Sequence, residues 1–257
     1  MNKLLGKRAL ITAGAQGIGL AISQHLLRAG CDLVAHYRSS AETAASLKGE
    51  ADQIGQRCKV LGGDLTETEE CDRIVQEAAQ FLGGIDIVIN NAGSLIARRS
   101  LAEADDEFWS QTMSLNLGSA RRITRAAAPH LAAAAQSRGG ASIVNLASLA
   151  GRKGGHTGSL AYATAKGAML TFTRALATEL GPLGIRVNAL APGLILGTHF
   201  HNTHTTPDAA RLTVASIPVG RAGNADDVAR AAVFLASEFD GFITGATLDI
   251  NGGVYMA

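Results

Sequence analysis

Short apolar runs alternating with longer segments of helical period predict a doubly wound α/β domain on a parallel seven-stranded sheet. Three observations carry the prediction. The strand-length runs are near-continuous in hydrophobicity, as strands covered on both faces must be. The segments between them repeat their apolar positions every three to four residues. Thirty glycines against five prolines in 257 residues point to many tight strand–helix turns rather than disorder.

The elements follow in order. Arg8–Thr12 opens the sheet and leads into a helix near 17–29. Asp32–His36 and a helix near 41–54 come next, then Lys59–Gly62 with a helix near 67–82. Ile85–Asn90 precedes a long helix over 105–134, and Ser142–Leu146 precedes one over 162–180. Arg186–Leu190, a helix near 225–237 and Thr247–Ile250 complete the pattern. No linker, repeat or low-complexity stretch divides the chain, so 1–257 reads as a single domain with helices on both faces of the sheet. Only 194–217 breaks the rhythm. It is rich in His, Thr and Asn, and long excursions of this kind act as lids over sites.

Composition narrows the function. Lys+Arg at 23 against Asp+Glu at 22 excludes a strongly basic nucleic-acid protein, and 4% aromatic content argues against base-stacking platforms. No run approaches the roughly 20 apolar residues of a membrane span. The N-terminal residues lack a signal-peptide hydrophobic region, and Cys31, Cys58 and Cys71 have no metal-knuckle spacing. The expectation is a cytoplasmic protein with reduced thiols and no metal site.

Two clusters carry chemistry. The first is Thr12-Ala13-Gly14-Ala15-Gln16-Gly17-Ile18-Gly19, between a strand and a helix. Such a turn lets backbone N–H groups approach a pyrophosphate at a helix N-terminus, although glycine also serves tight turns for backbone reasons alone. The second is Tyr162 and Lys166, four residues apart on one helical face. An ammonium beside a phenol favours phenolate, which suits proton exchange with an alcohol or ketone. Ser148 follows a strand at the carboxyl edge of the sheet, where it can meet a substrate oxygen. Taken singly, the Tyr–Lys pair reads equally as a solvated helix face, and Ser148 as a helix N-cap.

In combination these residues resemble the short-chain dehydrogenase/reductase family. The T-G-x-x-x-G-x-G turn is matched at Thr12, Gly17 and Gly19, with Ala13 in place of the first glycine and Gly14 one position later. Asn90-Asn91-Ala92-Gly93, Asn116, Ser148, Tyr162-x-x-x-Lys166 and Pro192-Gly193 follow in family order, and the likeness runs to Asp249-Ile250-Asn251-Gly252-Gly253. Thirteen residues separate Ser148 from Tyr162, within the family's latitude; Ser159 lies too close to the helix start to be the strand-end serine.

The resemblance implies a Rossmann-type fold and hydride transfer between a nicotinamide cofactor and a carbonyl or secondary alcohol. Tyr162 would be the acid in reduction and the base in oxidation. Lys166 would lower the tyrosine's pKa and hold the ribose, Ser148 would polarise the carbonyl, and Asn116 would keep a relay water. Thr12, Gly14, Gln16, Gly17, Ile18 and Gly19 would form the phosphate turn; Asn91, Ala92 and Gly93 the crevice; Pro192, Gly193 and Ile195 the nicotinamide wall. Asp64 and Leu65 resemble an adenine contact; the alternative for Asp64 is an N-cap for the helix at 67, which Thr66 could equally serve. A homotetramer packed through the 105–134 and 162–180 helices is the family expectation.

Coenzyme choice is read at the end of the second strand. His36-Tyr37-Arg38-Ser39-Ser40 has no carboxylate to meet a ribose 2′-hydroxyl. Arg38 instead offers a fork for a 2′-phosphate, flanked by Tyr37 and Ser39, so NADP(H) is expected over NAD(H). A solvated Arg38, or one stacked on adenine, is the alternative. His199, His201 and His204 in the lid have no carboxylate before Asp208, which disfavours a metal. The polar lid favours a small polar substrate such as a sugar or keto-uronate. Arg98, Arg99, Arg121, Arg122 and Arg125 leave open a 3-oxoacyl thioester reductase with a basic carrier-docking surface. A non-catalytic dinucleotide-binding regulator is the alternative of another class. A hydrolase is disfavoured, since no G-x-S-x-G is present.

Overall fold

The computed structural model describes residues 4–237 and 241–257. Seven parallel strands form one sheet in the order β3-β2-β1-β4-β5-β6-β7. They are β1 Arg8–Ile11, β2 Asp32–Tyr37, β3 Cys58–Gly62, β4 Ile87–Asn90, β5 Ala141–Leu146, β6 Ile185–Pro192 and β7 Thr247–Ile250. The helices are α1 Gly17–Arg28, α2 Ala41–Gln53, α3 Thr68–Leu82, α4 Asp106–Met113, α5 Ser119–Arg138, α6 Leu149–Lys153, α7 Leu160–Leu180, α8 His199–His204, α9 Pro207–Ala215 and α10 Ala225–Ala236.

Alternate strand residues face opposite layers. Ala9, Ile11, Leu33, Ala35, Ile87 and Ile89 pack under α1, α2 and α10. Leu10, Val34, Val88, Ile143 and Val187 pack under α3, α5 and α7. Burying both faces explains the unbroken apolar runs. Helices change face between β1 and β4, and in open α/β sheets a crevice forms at that switch, outside the carboxyl ends of the strands.

Three expectations change. The single helix over 105–134 is α4, a π turn at Ser114–Gly118 and α5, which continues through Pro129 to Arg138. Gly139, at φ 81°, ends it. The helix carrying Tyr162 starts two residues earlier, at Leu160. The excursion at 194–217 is built from α8 and α9, each N-capped by a threonine, Thr198 and Thr206. Cys31, Cys58 and Cys71 are buried, and burial pushes their thiols up to about 12, 12 and 11. Among the described residues no helix is long and apolar enough to cross a membrane.

Candidate active site

The carboxyl ends of the strands open into one cleft of about 980 Å³, walled at one end by the glycine turn and at the other by α8 and α9. At the turn, the buried Thr12 hydroxyl accepts the N–H groups of Asn91 (2.9 Å) and Ala92 (3.0 Å). The Asn91 carboxamide donates back to the carbonyls of Thr12 and Ala13 at 3.2 and 3.1 Å. The ends of β1 and β4 are thereby stapled together. A Cβ on Gly19 would lie 2.0 Å from the Ala13 carbonyl oxygen, so the helix start can approach the turn only without a side chain. Thr12, Gly14 and Gly19 shape the turn from behind; they do not line the cleft, whereas Gln16, Gly17 and Ile18 do.

Ala13 sits at φ 48°, a left-handed conformation that strains a residue with a Cβ. His36 supports it. Its Nδ1 accepts the Ala13 N–H at 3.1 Å and its Nε2 bonds the Gly63 carbonyl at 3.0 Å, an arrangement that requires the neutral ring. Burial holds His36 below its ordinary pKa. Sequence reasoning used His36 only as a strand end; a buried histidine beside a glycine turn was the signal.

The rim beyond β2 carries Tyr37, Arg38 and Ser39, all lining the cleft. The Ser40 hydroxyl donates to Gln16 Oε1 at 2.7 Å, which joins the rim to the turn. Arg38 is exposed and makes no hydrogen bond or ion pair among the described residues. Asp64 accepts both the N–H (2.9 Å) and the hydroxyl (2.7 Å) of Thr66, which hold its carboxyl below the usual range. It caps a turn there and still lines the cleft with Leu65; α3 is N-capped at Glu67, without a side-chain bond.

At the centre, Ser148 N-caps α6, accepting the Ala150 N–H at 3.1 Å. Its hydroxyl also pulls the Tyr162 phenol downward in pKa. The N-cap reading is realised, and both side chains line the cleft. Lys166 Nζ lies 5.8 Å from the Tyr162 ring centroid and donates to the Leu146 carbonyl at 2.7 Å. The shared helix face is as expected; the electrostatics differ. Burial pushes the Tyr162 phenol up to about 12, against the smaller downward pull of Ser148, and burial lowers Lys166 to about 8. The ammonium is spent on a carbonyl and does not bond the phenol oxygen, so desolvation dominates.

Asn116 is fully buried in the π turn. Its Nδ2 donates to the Ser94 (2.8 Å) and Thr112 (3.0 Å) carbonyls, and its Oδ1 accepts the Ser94 N–H (3.0 Å). It does not line the cleft; it clamps the chain after β4. A Cβ on Gly93 would lie 2.7 Å from Asn116 Oδ1 and 2.9 Å from Lys166 Nζ, so both side chains crowd one bare glycine. Beneath them a buried polar ladder fixes α7 to the sheet: Asn90 bonds Asn145 (2.8 Å), which bonds Thr173 (3.0 Å). The Ser159 hydroxyl bonds the His156 main chain.

The lid lies on this centre. The Phe200 ring is 5.6 Å from that of Tyr162 and meets His201 and His204 edge-on. His201 bonds Thr205 Oγ1 at 2.9 Å and the Gly193 main chain; burial lowers its pKa to about 4. Arg98 donates to the carbonyls of Thr157 and His204, both at 3.1 Å, clasping the end of α8. Pro192, Gly193 and Ile195 form the adjoining wall. Phe200 and Arg98 were not legible as parts of the centre, because their partners come from distant segments.

The arginines offered as a docking surface are largely engaged within the chain. Arg99 pairs with Asp105 (3.4 Å) and covers Phe108, Arg122 bonds Ser114 (3.1 Å), and Arg125 pairs with Asp72 (3.0 Å).

A family model described as enoyl-(acyl carrier protein) reductase matches residues 12–255. The chain is 36% identical to nodulation protein G of Azospirillum brasilense, over 96% of this chain and 98% of that one. It is 34% identical to the 3-oxoacyl-[acyl-carrier-protein] reductase FabG of Vibrio cholerae, over 98% and 99%. Among solved structures, the NADH-dependent reductase A1-R' responsible for alginate metabolism superposes with a TM-score of 0.91 at 35% identity, covering all of both chains. The same reductase complexed with NAD superposes at 0.89 with 34% identity, over 100% of this chain and 99% of that one.

Proposed function

Since the chain belongs to the short-chain dehydrogenase/reductase family of nicotinamide-dependent oxidoreductases, we propose that it reduces the carbonyl of a small polar substrate of the sugar or keto-uronate class. The observation that carries this is the Tyr162 phenol, sharing the cleft with Ser148, flanked by Lys166 and covered by a polar lid.

The residues present suit a nicotinamide dinucleotide. Gly19 lets the start of α1 close on the turn, and the bare Gly93 lines the cleft beside Lys166, where a side chain would intrude. Gln16, Gly17 and Ile18 would hold the pyrophosphate, Asp64 and Leu65 the adenine, and Asn91, Ala92 and Gly93 the crevice floor. Pro192, Gly193 and Ile195 would wall the nicotinamide, and Lys166 would hold its ribose. When bound, the coenzyme supplies the hydride.

The protein supplies the proton. Ser148 orients the carbonyl oxygen, and Tyr162 donates its phenolic proton to that oxygen as the carbonyl carbon gains hydride, giving the alcohol. The Tyr162 phenol, held above its ordinary pKa by burial, carries its proton at neutral pH and can donate it. Asn116 acts as a positioning residue, through Ser94 and Gly93. The lid at 194–217 excludes water and contacts the substrate. Assembly as a homotetramer remains part of this reading.

Coenzyme choice rests on Arg38. Its guanidinium, without a hydrogen bond or close ion pair among the described residues and with no carboxylate at the end of β2, supports NADP(H) over NAD(H). Equilibrium titration with NADPH and NADH at matched salt tests it, on the wild type and Arg38→Ala. Tighter NADPH binding, lost by about 10- to 100-fold in the variant, is expected from a charge-assisted fork. Preference for NADH, as in the A1-R' reductase's description, would assign NAD(H) and leave the reductase reading in place.

A 3-oxoacyl thioester reductase is the second reading, supported by the Vibrio cholerae relative. The internal commitments of Arg98, Arg99, Arg122 and Arg125 weigh against its docking surface. The assembled Ser148–Tyr162–Lys166 group weighs against a non-catalytic regulator.

A further inference from the structure

We infer that the lid end of the cleft holds a carboxylate-binding subsite centred on Lys153 and flanked by Arg98 and His199, which selects acidic sugars over neutral ones. The inference deepens the proposed reductase reading and rests on it only for where the carbonyl lies.

The lining of the cleft is one-signed at this end. Among the described residues the only carboxylate that lines it is Asp64, beyond β3 and already held by Thr66. The lid end is lined instead by Arg98, Lys153, His156, His199 and His204. Arg98 directs its N–H groups to the neutral carbonyls of Thr157 and His204, so no carboxylate offsets its charge. Lys153 is exposed and makes no ion pair or hydrogen bond among the described residues. Burial, then Arg98 and His199, hold His204 below its ordinary pKa, as a field of one sign should.

Placement gives the subsite its ruler. Lys153 ends α6, the same short helix that Ser148 caps at its start. Five residues at 1.5 Å each set their main chains about 7.5 Å apart. Ser148 and Lys153 both line the cleft, so a substrate whose carbonyl meets Ser148 and Tyr162 shares that cleft with the ammonium. Acceptance of an anion by an exposed lysine and arginine is screened by salt, which gives the subsite a second signature.

The probes are D-glucuronate and D-glucose, titrated calorimetrically into the coenzyme-loaded protein at low and high salt, with Lys153→Gln beside the wild type. D-glucuronate should bind at least tenfold more tightly than D-glucose at low salt. Lys153→Gln and high salt should each remove most of that margin while leaving D-glucose and coenzyme affinities unchanged. Equal affinities for the two sugars, binding of neither, or a margin untouched by the substitution would overturn the subsite. Failure of the reductase reading looks different: D-glucuronate binds with the expected margin, yet neither 5-keto-D-gluconate nor D-fructose is reduced.

Discussion

The two ends of the cleft are built in opposite ways. At the glycine turn, recognition is made of main chain held from beneath: Thr12, His36 and Asn90 are buried, and α1 buries six of its residues. At the lid, α8 and α9 bury none. Directed contacts that retain the lid include Arg98 with His204 and Phe200 on Tyr162. Segments with little buried area open at low free-energy cost. A preformed end for a dinucleotide and a lightly anchored end for the variable partner suit an enzyme that must admit and release substrate beneath a closing segment.

Tyr162→Phe tests the separation most severely. It should lower kcat by about 10²- to 10⁴-fold, the range for one proton-transfer group, while coenzyme affinity stays within twofold. A large loss of coenzyme affinity would mean that the two ends are not independent; unchanged kcat would remove Tyr162 from the chemistry.

Acid should weaken the lid's anchorage at His201. His201 is neutral in the folded protein, with a pKa lowered to about 4 by burial, against about 6.5 when unfolded. The unfolded chain therefore takes up the proton first. Stability contributed by neutral His201 is complete above pH 6.5 and is lost as pH falls towards 4. Thermal melts from pH 7.5 to 4.5 should show a shallower fall for His201→Gln than for the wild type. Parallel curves would remove His201 from the lid's anchorage.

The smallest effect is expected at the turn. Ala13→Gly relieves a left-handed alanine and should raise stability by about 1 kcal/mol in denaturant unfolding, with His36 contacts retained. A loss of stability would show that the Ala13 methyl packs usefully where it lines the cleft.

Legibility in the sequence followed the same divide. The glycine turn and the Tyr162–Lys166 face were readable because each depends on residues close together in the chain. The lid helices were not, since α8 and α9 are short, threonine-capped and without a buried stripe. The π turn escaped for a related reason: its apolar period differs little from the helices it joins. His36 and Phe200 gain their roles from partners 23 and 38 residues away, Ala13 and Tyr162.

The Thr12 hydroxyl reaches further than its position suggests. It holds Asn91 and Ala92, which lead directly to Gly93, against which Asn116 and Lys166 crowd. Coenzyme grip and acid chemistry therefore share a foundation at this point, while Arg38 stands outside it. If Arg38 sets the choice of dinucleotide as proposed, an engineer can work at that rim as on a detachable fitting. Alteration of Thr12 would move both functions together, so the two properties can be tuned apart only from the edge inward.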